Sequence, residues 1–204
     1  MVAFVLTTAF AAAACSSDNI DSDEQAKRAY LGLDQSIGKA LTLGFQGFNT
    51  AQSANISPQM ATGTATGMLT ITGQVDQGAS TNKEMRLYIG MVNYSDGKVK
   101  VNDNGDTITV TYDTSTDMTM QPFLSLSLRN IPTGTFTGTL TTGTLMTGIF
   151  HMTGDLKGDV TLNLTMSGEL QSNGSGGTDR KPGSTMVMGT ATSGDGTYNV
   201  NVTI

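Results

Sequence analysis

The sequence is poor in the residue types that most often carry out chemistry. It has one Cys, one His and no Trp among 204 residues, and charged residues make up 14% of it, against about 25% in an ordinary soluble domain. A single Cys permits neither an internal disulfide nor a Cys-rich zinc site. A net charge of −6 without a Lys/Arg cluster argues against nucleic-acid binding. No apolar run reaches about 18 residues, so no ordinary membrane-spanning helix is predicted.

The first residues are instead apolar over a shorter length. Residues 1–14 carry no charge, and this length is typical of the apolar region of a signal peptide. Ala12, Ala13 and Ala14 have the small side chains that signal cleavage requires, and Cys15 begins a polar stretch. We therefore predict that residues 1–14 are a signal peptide, cleaved between Ala14 and Cys15.

The segment Ala12-Ala13-Ala14-Cys15 resembles the lipobox of bacterial lipoproteins. The resemblance implies that Cys15 becomes the first residue of the mature chain, is the lipid attachment site, and makes the membrane a partner through its acyl chains. Ala12 stands where the family usually has Leu, and the basic start of the family is missing, which a true N-terminus upstream of Met1 would explain. Two alternatives stay open: plain secretory cleavage near Ala14, or a buried segment in which Cys15 is a small hydrophobe.

After a short tether over residues 15–21, the pattern predicts an amphipathic helix over 22–48. The segment Ser22-Asp23-Glu24-Gln25 has the form of a capping box. One apolar stripe follows at helical spacing, made by Ala26, Tyr30, Leu33, Ile37, Leu41, Phe45 and Phe48. Gly44 lies on this stripe, so we expect close approach to another backbone there. Residues 49–63 are polar, contain Pro58 and are interpreted as a connector.

Beyond residue 63 the apolar period changes from 3.6 to 2, which is typical of strands with one buried and one wet face. Thr suits the wet face because its β-branch favours an extended backbone. The alternating runs are Leu69–Val75, Met85–Met91, Ile108–Tyr112, Leu124–Leu128, Phe136–Leu140, Val160–Met166 and Tyr198–Ile204. Turn signals such as Asp96-Gly97 and Asn104-Gly105 separate them. Residues 171–184 are interpreted as a flexible surface loop.

These patterns predict a mainly β protein with one domain over residues 22–204. We expect the N-terminal helix to be followed by an antiparallel meander of about eight to ten strands, forming a curved sheet or barrel. The helix stripe would pack on the apolar face of this sheet or across one mouth. A two-sheet β-sandwich is the alternative architecture.

Polar residues that could carry chemistry are few, and each has a simpler explanation. His151 is the only His, so it excludes a multi-His metal site and would have to serve any Ser-His-Asp triad. Residues 102–106 contain closely spaced carboxylates but lack the acidic residue that closes a calcium loop, so a hairpin turn is favoured. Asp155 and Asp159 also fit turns better than an acid/base pair. We therefore predict no catalytic residue, metal or cofactor.

Methionine is unusually common, with 12 residues. Thioethers bind Cu(I), so an exported Met-rich protein could hold copper. The i, i+2 spacing of the two pairs Met118/Met120 and Met186/Met188 is also that of core-facing strand residues, and this explanation is preferred. Met146 and Met152 belong to the same region.

Taken together, the sequence predicts an exported, lipid-anchored envelope protein held at the outer membrane by Cys15. Its β domain would be non-enzymatic and either structural or ligand-binding, with an apolar small molecule as the ligand if the interior is hollow. The chain also resembles the Thr/Gly-rich lipoproteins of unknown function of Gram-negative bacteria. The alternative is an integral outer-membrane β-barrel, which the alternating strands support but the scarcity of aromatic residues, 6% of the chain, opposes.

Overall fold

The architecture was determined from a computed structural model that describes residues 19–142, 148–174 and 177–204. The predicted signal peptide, its cleavage position at Ala14 and Cys15, and residues 15–18 of the predicted tether lie outside the described residues. The mainly β fold with an N-terminal helix and an antiparallel sheet is confirmed. The elements are α1 Asp23–Thr50, β1 Asn55–Thr62, β2 Thr66–Val75, β3 Lys83–Ser95, β4 Lys98–Lys100, β5 Thr107–Asp113, a 3₁₀ turn Met118–Met120, β6 Phe123–Arg129, β7 Thr135–Thr141, β8 Phe150–Gly154, β9 Gly158–Ser172, β10 Thr178–Arg180, β11 Met186–Ser193 and β12 Gly196–Thr203.

The helix α1 forms where the capping signal predicted it. The Ser22 side chain accepts a hydrogen bond from the Gln25 N–H at 3.3 Å, which satisfies one of the unpaired donors of the first turn. The helix buries one face against the sheet, as its apolar stripe predicted. A Cβ on Gly44 would lie 2.8 Å from the Met85 sulfur, so the close approach at this glycine is to a side chain and not to another backbone.

The strands form one sheet with a fork in it. Eight strands pair antiparallel in the order β1-β2-β3-β6-β7-β9-β11-β12. The long strands β3 and β9 are also joined through β5 and β8, with β4 beside β5, and β10 extends the pairing of β9. The sheet therefore curves strongly, and the β-sandwich alternative is not the observed architecture because the twelve described strands belong to a single sheet.

The core lies between α1 and the concave face of this sheet. The helix packs mainly against β1 and β12, the two ends of the eight-strand row, and so fills the gap between them. One cluster of buried apolar side chains joins the helix to the sheet, and its largest members include Tyr30, Tyr94, Tyr112 and Phe150. The Tyr112 hydroxyl donates to the Ala29 carbonyl at 2.9 Å, which satisfies a buried polar group and fixes α1 against β5.

The connector predicted for residues 49–63 is wrong, because β1 occupies Asn55–Thr62. Pro58 lies where the register between β1 and β2 shifts, between Ile56 and Gln59. An edge strand tolerates proline at such a bulge, because the backbone nitrogen at that position does not need to donate to a neighbouring strand. The polar composition and Pro58 therefore indicated a connector where the structure has an edge strand.

The prediction of a loop over residues 171–184 is wrong in part, because this range contains the end of β9 and all of β10. Ser172 is the last residue of β9, and Thr178–Arg180 form β10 against it. At the N-terminal end of the domain, Ile20 belongs to the predicted tether but is buried, and its carbonyl accepts from the Ser193 hydroxyl at 2.7 Å. The packed domain therefore begins by Ile20.

Candidate functional site

A groove runs along α1 where the two ends of the strand row face each other. We call it the seam groove. Its floor is the half-exposed side of α1, one wall is β1, and the other is formed by β10, the loop after it and Ile204. The groove has a volume of about 560 Å³, within the range of small-molecule sites. Its lining along α1 runs from Asp34 to Gln46, roughly 18 Å at the helical rise.

The lining of the seam groove is mostly apolar. Leu43 on α1 is buried beneath it, while Met60 on β1 is 62% exposed, the most exposed large apolar side chain among the described residues. Ala61, Pro182 and Ile204 complete the apolar lining. Gly38 leaves the floor open, because the one atom within 4 Å of a Cβ placed there would be Arg180 Nη2 at 3.7 Å.

One end of the groove is closed by a buried ion pair between α1 and β10. Arg180 Nη1 and Nη2 donate to the two Asp34 carboxylate oxygens at 2.8 and 2.9 Å, and both side chains are only 14% exposed. The Tyr30 hydroxyl also donates to Asp34, at 2.9 Å. Burial raises the pKa of the Tyr30 hydroxyl, and the Asp34 charge raises it further, so Tyr30 remains a donor.

A second charged network lies behind the β1 wall. The Asp96 side chain is fully buried and accepts from Lys39, from the Tyr94 hydroxyl at 2.6 Å, and from the Thr64 N–H at 2.9 Å. Burial acts to raise the pKa of Asp96, but the hydrogen bonds from Lys39, Tyr94 and Thr64, together with the Lys39 charge, outweigh it and lower the pKa. The carboxylate is therefore ionised and Lys39 is its counter-ion.

These two networks decide what the seam groove can do chemically. Three cations line the groove, and each is already paired with a carboxylate: Lys39 with Asp96, Arg180 with Asp34 and Lys181 with Glu169. The groove therefore offers an apolar surface with polar edges and no uncompensated positive charge from these residues. Such a surface suits a ligand with an apolar body more than a free anion.

The residues predicted as chemical candidates lie elsewhere. His151 is on β8, 51% exposed at its side chain, with Nδ1 2.6 Å from an Asp159 carboxylate oxygen. Asp155 lies in the bend between β8 and β9 and accepts from the Thr109 N–H of β5 at 2.8 Å, whereas Asp159, also predicted at a turn, lies within β9. Residues 102–106 form a turn in which the Asp106 N–H donates to the Asn102 side chain at 3.1 Å. Among the described residues, no group of three or more His, Cys, Asp or Glu side chains is placed to hold a metal ion.

The methionine pairs correct one prediction. Met118, Met120, Met186 and Met188 are 41–49% exposed, so they do not fill the core. The i, i+2 spacing places Met186 and Met188 together on the solvent face of β11, whereas Met118 and Met120 lie in the 3₁₀ turn and not in a strand. Met152 is buried as expected, and Met146 lies outside the described residues.

Sequence reasoning missed the residues that build the seam groove. The sequence predicts Lys39 and Asp34 on the solvated face of the helix, outside its apolar stripe, and Arg180 in the loop over residues 171–184. Their partners are up to 146 residues away along the chain. The one local signal was Arg180-Lys181 in a segment otherwise made of small and polar residues.

Comparisons with protein-family models, with curated proteins and with solved structures found no match. Within residues 19–142, 148–174 and 177–204, no helix combines the length and the apolar character needed to cross a bilayer.

Proposed function

We propose that this chain is an exported, lipid-anchored envelope protein whose non-enzymatic β domain binds a small molecule with an apolar body in the seam groove. The observation that supports the anchor is the position of the only cysteine. Cys15 directly follows the apolar residues 1–14, which end in Ala12-Ala13-Ala14. Several acyl chains on one residue supply stable attachment, since each buried CH₂ contributes about 0.8 kcal/mol and stable anchoring needs more than one chain.

The start of the packed domain supports a short connection to the membrane. Only residues 16–19 separate Cys15 from Ile20, whose backbone is held by Ser193. Five residue steps extend at most roughly 18 Å. An acylated Cys15 would therefore hold the Ile20 end of the domain close to the bilayer surface.

The groove supports the binding role. It combines a mostly apolar lining, a length of roughly 18 Å along α1 and cationic side chains that are each paired with a carboxylate. The single acyl chain of a fatty acid or lysolipid has the chemistry that such a groove accommodates. The outer membrane is the proposed address, and the integral outer-membrane β-barrel remains the competing proposal.

Fractionation of cells that express a Cys15→Ser variant tests the anchor. We expect the native chain in the membrane fraction and Cys15→Ser in the soluble fraction, because the acyl chains have lost their attachment atom. The control variant Ser17→Ala keeps the Cys and should remain in the membrane. A Cys15→Ser protein that still needs detergent for extraction contradicts the anchor and favours the integral barrel.

Binding of a dansyl-labelled fatty acid to the purified chain tests the groove separately. Gly38→Leu places a side chain in the floor of the groove, and we expect it to weaken binding, whereas Gln35→Leu on the exposed side of α1 should not. Equal binding by both variants contradicts the groove. No binding by the native protein contradicts the binding role and leaves the anchor to its own test.

A further inference from the structure

A second cleft lies on the convex face of the sheet, away from the seam groove. We call it the aromatic cleft. It has a volume of about 640 Å³ and crosses β1, β2, β3 and β6. Its centre is the ring pair Tyr88 and Phe123, which stack edge to face with centroids 5.2 Å apart and an interplanar angle of 61°. Both rings are half-buried on the solvent side, although their neighbours Leu87 and Leu124 point into the core.

We propose that the aromatic cleft binds an uncharged carbohydrate chain. A pyranose ring has an apolar face of C–H groups and a rim of hydroxyls that both donate and accept hydrogen bonds. Aromatic side chains cover such a C–H face, and planar amide and guanidinium groups bond to pairs of hydroxyls. The cleft presents both kinds of group next to each other.

The polar side of the cleft is a row of side chains across three strands. Asn55, Gln74 and Arg86 are register partners on β1, β2 and β3. Gln74 Nε2 donates to the Asn55 side-chain oxygen at 2.9 Å, and Arg86 Nε lies 3.4 Å from the Gln74 oxygen. These contacts hold the amide and guanidinium planes in place, so little side-chain freedom is left to lose on binding.

The Tyr88 ring also presents a polar tip to a ligand with hydroxyl groups. Among the described residues, none accepts a hydrogen bond from the Tyr88 hydroxyl, so this hydroxyl is free to bind a ligand in the cleft.

Charge and backbone pairing limit the class of ligand. Arg86 Nη2 is already paired with Asp76 at 3.1 Å, so its charge is compensated, which disfavours an anionic ligand. The strands β2 and β3 are paired on both sides, so the cleft lies on a face and not on an edge that could add a peptide strand.

Titration of the purified full chain with neutral oligosaccharides tests this proposal. The probes are chito-, cello- and malto-oligosaccharides, with heparin as the anionic comparison. We expect at least one neutral probe to bind and Tyr88→Ala to weaken binding roughly tenfold. Tyr88→Phe should weaken it less, because it keeps the ring and loses only the hydroxyl. Tyr198→Ala is the matched control, since Tyr198 is another half-buried tyrosine, on β12.

Each outcome decides the proposal. Binding that Tyr88→Ala weakens and Tyr198→Ala does not supports it. Absence of binding by every neutral probe, binding of heparin alone, or equal binding by Tyr88→Ala overturns it. If Tyr88→Ala does not fold, Met118→Ala replaces it, because this residue lines the cleft, is 43% exposed and lies in a short turn outside the strands.

Discussion

At the residue scale, glycines on α1 decide how closely the helix meets its neighbours. Gly32 faces Tyr112, and a Cβ there would lie 2.1 Å from the tyrosine hydroxyl, which is itself bonded to the Ala29 carbonyl. Gly38 faces the open seam groove. One residue type therefore serves two purposes on the same helix, close packing at Gly32 and an open floor at Gly38.

We predict opposite effects of Gly→Ala at these two positions. Gly32→Ala should destabilise the fold by roughly 2–4 kcal/mol, because the methyl group overlaps a fully buried side chain and breaks its hydrogen bond. Gly38→Ala should stabilise it by about 0.5–1 kcal/mol, because alanine restricts the unfolded chain and meets nothing closer than 3.7 Å. Urea unfolding measures both, and a similar loss at the two positions would contradict the packing described.

The buried carboxylate of Asp96 gives a prediction about pH. Its pKa in the fold is lowered from the ordinary value of 3.8, so ionised Asp96 stabilises the native state above that pH, and the contribution is lost as the pH falls through the folded pKa. Asp96→Asn removes this contribution. The difference in unfolding free energy between the native protein and Asp96→Asn should therefore narrow below about pH 4. A difference that stays constant in acid would show that Asp96 is not held ionised by Lys39 and Tyr94.

At the element scale, the short strand β10 depends on one side chain that reaches α1. Arg180 and Asp34 are both only 14% exposed, whereas the neighbouring Lys181 and its partner Glu169 are 51% and 56% exposed. Removal of one partner from a buried ion pair leaves the other charge uncompensated, while an exposed pair contributes little. Arg180, the last residue of β10, and Lys181, directly after it, therefore contribute very differently to the stability of the fold.

We expect Arg180→Met to cost about 3 kcal/mol and Lys181→Met less than about 1 kcal/mol. Chemical unfolding of the two variants gives the comparison. The double variant Asp34→Asn/Arg180→Met should recover part of the loss, since no buried charge remains unpaired. Equal costs for Arg180→Met and Lys181→Met would contradict the buried role of the pair.

Local patterns predicted the elements that follow simple periods, and missed those that long-range contacts create. The capping signal at Ser22 and the alternation in β9 were sufficient for a correct prediction of each element. The strand β1 was missed because Pro58 is acceptable only at an edge bulge, and an edge cannot be recognised before the sheet is known. The exposure of Met186 and Met188 was missed because a period of 2 does not say which face is buried.

At the scale of the whole molecule, the seam groove exists because, among the described strands, the two ends of the row, β1 and β12, do not pair with each other. The helix α1 packs against both end strands, β1 and β12. Without this cover, the sheet would expose two edges to solvent. The groove is the part of this seam that α1 leaves open. Its lining comes from residues 34–46, 60–61, 179–185 and 204, so no single segment of the sequence contains the site.

The proposed anchor would fix how the domain lies relative to a membrane. An acylated Cys15 would hold the Ile20 end of a curved sheet near a bilayer, with the seam groove along α1 and the aromatic cleft on the convex face. Each of these three sites is carried by its own observations, so each is open to separate disproof.

Intact-mass spectrometry of the protein isolated from membranes tests the anchor most directly. We predict a mature chain that begins at Cys15, with added mass from acyl chains on its sulfur and amine and no thiol that reacts with maleimide. A chain that still contains residues 1–14 and has a maleimide-reactive Cys15 would contradict it.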